Sequence, residues 1–146
     1  MYRLIFMILA MVVAFHSQAA GPPASLKYLD GHFDNDPNAA LTVVMGKPLK
    51  EYNLDEYRGL TLKYTPEKAQ GIEESVVKDS QSAVDKEMSY RKGKLYYAFL
   101  TLPITHDGKN RYLFYLNQTL AKGDKVILIY MCGKASTDKI RKLIKK

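Results

Sequence analysis

The residues best suited to chemistry are few and scattered. The stretch LDGHFDNDPN places Asp30, His32, Asp34 and Asp36 at alternate positions. Oxygen ligands at that spacing are also found in calcium loops, but such a loop needs a glycine at its sixth position and a bidentate glutamate at its twelfth. Counted from Asp34, those positions hold Ala39 and Met45. Asp30, Asp34 and Asp36 are therefore weak metal candidates, and an Asx-rich turn ending a short helix is the preferred reading. Beyond residue 20 only His32 and His106 remain, far apart, with His106 at the tip of an expected hairpin. No H-E-x-x-H, G-x-S-x-G or Gly-rich phosphate loop occurs. Cys132 is the single cysteine and sits within VILIYMCG, which predicts a buried thiol rather than a nucleophile. The pair Glu73-Glu74 falls on the solvent side of a predicted helix. Catalysis and a cofactor are therefore not expected.

The amino-terminal stretch predicts the compartment. Arg3 supplies a positive charge, and Leu4 to Phe15 is an apolar run shorter than the ~20 residues a membrane span needs. Ser17-Gln18-Ala19 then offers small residues at the positions a signal peptidase reads. The expectation is a signal peptide over residues 1–19, cut after Ala19 or alternatively Ala20, and export to the periplasm or medium. The remaining chain, residues 20–146, has the length of one domain. The formal charge of +7 is spread along the chain and clusters only at the carboxyl terminus. Outside the cytosol this argues against nucleic acid. It leaves solubility, an anionic glycan or an anionic membrane surface as its use.

Periodicity then predicts the elements. Leu26, Leu29 and Phe33 suggest a short helix capped by Ser25. Leu41–Met45 reads as a strand, EYNLDEY as a turn, and Gly59–Tyr64 as a half-buried strand. Thr65 and Pro66 open a helix whose stripe is Ala69, Ile72, Val76, Ser80 and Ala83. Four strands come next: Glu87–Arg91, Leu95–Leu102, Arg111–Leu116 and Val126–Cys132. Ser136 or Thr137 caps a last helix with Ile140, Leu143 and Ile144 on one side. That amphipathic tail suits packing on a sheet better than lying on a membrane. The expected fold is α+β: a mainly antiparallel sheet of about five to six strands, two longer helices on one face, and a short N-terminal helix.

The stretch KLYYAFLTLPITHDGKNRYLFYLN is apolar at both alternating positions. A two-residue turn at Asp107-Gly108 would pair Thr101 with Phe114 and put Tyr97, Phe99, Tyr112 and Phe114 on one face. Tyr96 and Tyr115 would share the other. Tyrosine buries its ring while its hydroxyl stays wet. Tyr96, Tyr97, Phe99, Tyr112, Phe114 and Tyr115 are thus the candidate binding residues, for a protein partner or for self-association. The alternative is that the chain's own N-terminal segment wraps that face.

The segments LTVVMGKPLKEYNL, RGLTLKY, VDKEMSYRKGKLYYAF, NRYLFYLN and VILIYMCG are similar to a family of small exported Bacteroidetes proteins of unknown function. The resemblance covers roughly residues 25 to 145. It implies a cell-envelope location and an α+β fold, and brings no active-site residues with it. The expected role is a non-enzymatic envelope protein that works by binding. A small exported enzyme or ligand carrier, with a pocket between helices and sheet, is the alternative.

Overall fold

The computed structural model describes residues 21–145; the expected signal peptide and its cleavage point lie outside them. Six strands, β1 (Ala39–Met45), β2 (Leu54–Lys63), β3 (Asp85–Arg91), β4 (Lys94–Leu102), β5 (Asn110–Asn117) and β6 (Lys125–Gly133), form one sheet in the order β1-β2-β6-β5-β4-β3. Every neighbouring pair is antiparallel. Helix α1 (Pro66–Gln81) connects β2 to β3, and helix α2 (Thr137–Ile144) comes after β6. Short 3-10 segments occupy Ala24–Leu29, Lys47–Tyr52 and Gln118–Leu120. The α+β class and the mainly antiparallel sheet are as the sequence implies.

The caps obey the sequence signals. The Thr65 hydroxyl accepts from the Lys68 amide with Pro66 in the first turn, and the Ser136 hydroxyl accepts from the Lys139 amide. Ser25 does not cap. It is fully buried, and its amide (3.0 Å) and hydroxyl (2.6 Å), with the Ala24 amide (2.5 Å), all donate to the Asp79 carboxylate of α1. A helical carboxylate, not local helix propensity, thus ties the amino-terminal segment down. EYNLDEY is also not simply a turn, because β2 begins at Leu54. There the Asn53 backbone, in a left-handed conformation, approaches β6 at Gly133.

The helices lie on opposite faces, not together on one. α1 crosses from β2 to the far edge strand β3, over the intervening β6, β5 and β4. At ~1.5 Å per residue it is ~24 Å long, enough to pass the ~19 Å between those strands. Its Ile72 and Val76 are fully buried against Leu60, Leu62, Leu100, Leu113, Tyr115 and Leu128. Tyr28 and Leu29 of the amino-terminal segment complete this first core. The second face carries a separate core of Leu49, Leu54, Phe99, Tyr112, Phe114, Met131, Ala135 and Ile140. α2 reaches that face because the chain leaving β6 is pinned at Ala135. The Ala135 amide donates to the Asn53 carbonyl (2.8 Å), and the Ala135 carbonyl accepts from the Tyr112 hydroxyl (2.7 Å) and the Asn110 side-chain amide (3.1 Å).

The β4–β5 register differs from a two-residue hairpin by two residues. Thr101 pairs with Tyr112 and Phe99 with Phe114. The loop is longer because the turn closes at Thr105, whose carbonyl accepts from the Gly108 amide at 3.0 Å. A shift of two keeps every side chain on its face, so Tyr97, Phe99, Tyr112 and Phe114 stay together.

Candidate functional site

Alternation along each strand dictates what the second face presents. β6 contributes Met131, Ile129 and Ile127; β5 contributes Tyr112, Phe114 and Leu116; β2 contributes Leu54 and Tyr57. α2 is only ~12 Å long and cannot roof all of it. Ile140 seals Phe99, Tyr112 and Met131, which are at most 2 % exposed. α2 is clamped over that end. Arg141 Nη1 donates to the Glu87 carboxylate at 2.7 Å, and its guanidinium lies 5.0 Å from the Phe99 ring centre. On the other side Lys139 Nζ donates to the Glu51 carbonyl at 3.1 Å.

The uncovered part of the face is an apolar groove of about 510 Å³. Phe114, Leu116, Ile127 and Ile129 form its floor and Leu54 and Met131 its inner end. Leu49 and Tyr52 of the 3-10 segment form one wall, and Leu143 and Ile144 of α2 the other. Tyr57 lies along the floor across Gly59, where a Cβ would come within 2.8 Å of the Tyr57 hydroxyl. Burial pushes the Tyr57 phenol above its ordinary value, so it stays a neutral donor. Its hydroxyl and that of Tyr52 are the polar side-chain groups among the lining residues.

The floor leads to cations. On β6 the next residue on this face beyond Ile127 is Lys125, paired directly with Lys63 of β2; both are exposed. Among the described residues no salt bridge involves either. Like charges directly opposite on a sheet disfavour one another.

The six candidate aromatic residues separate. Phe114 lies on the groove floor, with Tyr97 edge-on to it at 5.6 Å. Phe99 and Tyr112 stack at 6.0 Å beneath α2. Tyr115 is on the opposite face in the first core; its buried hydroxyl has no hydrogen-bond partner, and burial raises its pKa strongly. Tyr96 sits at the β3–β4 bulge with the Arg91 guanidinium 3.8 Å from its ring centre. Of the groove's lining residues only Phe114 is among those candidates; Tyr57, Ile127, Ile129 and Leu143 are examples of the rest. For Ile127, Ile129 and Met131 the signal is VILIYMC, apolar at both alternating positions like the tyrosine-rich hairpin; Tyr57 and Leu143 lie in other segments and carry no such signal.

The chemical candidates do not converge. Asp36 bonds Lys68 and the Asn38 amide, which hold its carboxyl below the ordinary value. Asp30 lies 3.7 Å from Arg58, and Asp34 is exposed. Among the described residues no group of three or more His, Cys, Asp or Glu side chains is placed to hold a metal. His32 packs edge-on between Tyr28 and Phe33 at 4.9 and 4.7 Å. Cys132 is buried, and burial raises its thiol. A smaller polar recess of about 240 Å³ holds Tyr64, Glu73, Lys94 and Asn117. Its groups serve the fold: Lys94 Nζ donates to the Tyr64 hydroxyl (3.0 Å), and Glu73 accepts from the Leu95 amide (2.6 Å).

No described helix is long and apolar enough to cross a membrane. No curated protein matches the chain. It belongs to DUF6108, a family of unknown function, whose pattern matches residues 12–144.

Proposed function

We propose that this member of the family is an exported, non-enzymatic binding protein of the cell envelope. Its groove takes the hydrocarbon chain of an anionic amphiphile, such as a long-chain carboxylate. The groove carries the reading: about 510 Å³ lies within the size of small-molecule sites, which are mostly apolar with few polar groups. From Met131 to Lys125 the strand rises ~20 Å, room for an extended chain whose head group meets Lys63 and Lys125. An anion there offsets the repulsion between the two lysines. The apolar run before Ala19 supports export.

Two measurements test this. The chain from Ala20 is titrated with a fluorescent fatty acid and competed with a long-chain carboxylate or the matching alcohol. Ile129→Glu is expected to abolish binding. Lys63→Gln with Lys125→Gln is expected to weaken the carboxylate ~10-fold or more, in line with ~1.4 kcal/mol per decade, and to spare the alcohol. Absence of binding by the unmodified chain would overturn the groove reading. For export, the amino terminus of protein recovered from expressing cells is sequenced; retention of Met1 would overturn it.

A further inference from the structure

The two edges of the sheet are built differently. β3 carries Asp85, Lys86, Glu87 and Arg91, and its pairing with β4 is broken between Ser89 and Tyr90 by a bulge whose extra residue is Tyr96 of β4. Charges and bulges are the usual means of keeping an edge from pairing. β1, AALTVVM, has no charge, no proline and no bulge. Its seven residues pair with β2 on one side only. Val43 and Met45 are 44 % and 55 % exposed beside that open edge. An open, uncharged, β-branched edge is a template for another strand.

The flanking charges indicate which strand. Asp34 precedes β1 and is exposed, as are Lys47 and Lys50 after it, whereas Asp36 is already held by Lys68. Run antiparallel against itself, β1 brings the acidic lead-in of one copy toward the basic exit of the other, at both ends. A parallel pairing would set like charges together instead.

We propose that β1 is a dimerisation edge whose partner is a second copy of this chain. The two β1 strands meet about a twofold axis at Thr42. In this register Val43 stands opposite Leu41 of the other copy and Met45 opposite Ala39, so exposed apolar surface is covered on both sides. An isologous contact of this kind closes on itself and stops at two copies. The sheets join into one of twelve strands, and both grooves open on the same side. The inference is independent of what the groove binds.

Sedimentation velocity on the chain from Ala20, across a concentration series, is the test. The mass is expected to double with concentration for the unmodified chain and to stay monomeric for Thr42→Lys. Ser89→Lys, on the exposed face of the other edge, is expected to leave association unchanged. Register is read by oxidative cross-linking. Thr42→Cys is expected to give a disulfide-linked dimer, because directly opposed residues have Cα atoms ~4.5–5.5 Å apart, within disulfide reach. Ala40→Cys, which would face Val44, is expected not to. A monomer at the highest concentration, equal loss with Ser89→Lys, or cross-linking through Ala40→Cys but not Thr42→Cys would each overturn the proposal.

Discussion

At the residue scale, single atoms decide where the backbone can go. At Gly133, a Cβ would fall 2.6 Å from the Leu54 Cα and 2.7 Å from the Asn53 carbonyl. Both are backbone atoms that cannot swing aside. Gly133→Ala is expected to destabilise the protein by about 1–3 kcal/mol, the usual cost of overpacking, and thermal unfolding reads it. Tyr115 presents the opposite case. Its hydroxyl is buried without a partner, and an unmet polar group costs about 1–3 kcal/mol. Tyr115→Phe is expected to leave stability unchanged or raise it by about 1 kcal/mol; a lower melting temperature would contradict this. From the sequence Gly133 is only the residue that follows the expected strand Val126–Cys132, because the close approach involves a segment some eighty positions away in the chain.

At the element scale, α2 is short and depends on its anchors. Hydrogen bonding from Arg141, then its charge, holds the Glu87 carboxyl below the ordinary 4.5. A depressed carboxylate stabilises above its unfolded value and loses that contribution as pH falls. The clamp is therefore present near neutrality and lost progressively below about pH 4.5. Both partners remain partly exposed to solvent, so the effect on global stability is small. It should show locally: amide exchange over residues 137–144 is expected to quicken at low pH, and Glu87→Gln to quicken it already at neutral pH. Unchanged exchange in Glu87→Gln would show that the helix is held without this ion pair. The helix was legible from Ser136 and its apolar stripe. Its face was not, because that depends on how the backbone leaves β6 at Ala135.

At the scale of the whole molecule, the two faces of the sheet do different work. The first is sealed by α1 and the amino-terminal segment, and Ile72→Ala there is expected to cost about 2–5 kcal/mol. The second is sealed only under Ile140. Leu143 and Ile129, partly exposed on the groove, lose less burial when shortened. Leu143→Ala and Ile129→Ala are each expected to cost less than about 1.5 kcal/mol, since transfer and cavity terms scale with the area buried. Losses as large as that of Ile72→Ala, measured by denaturant unfolding, would mean that the groove residues serve the core.

Strand periodicity alone determined which side chains share a face. It placed Tyr97, Phe99, Tyr112 and Phe114 together despite a register shifted by two, because parity survives a shift of two. Local chemistry at Thr65 and Ser136 likewise determined where both helices begin. Only the tertiary structure decided which face each helix covers and how much apolar surface is left open. Those depend on the crossover from β2 to β3 and on the Ala135 pins, which join residues distant in the chain. Local periodicity carries no information about such contacts, so the groove emerges only when the strands are assembled.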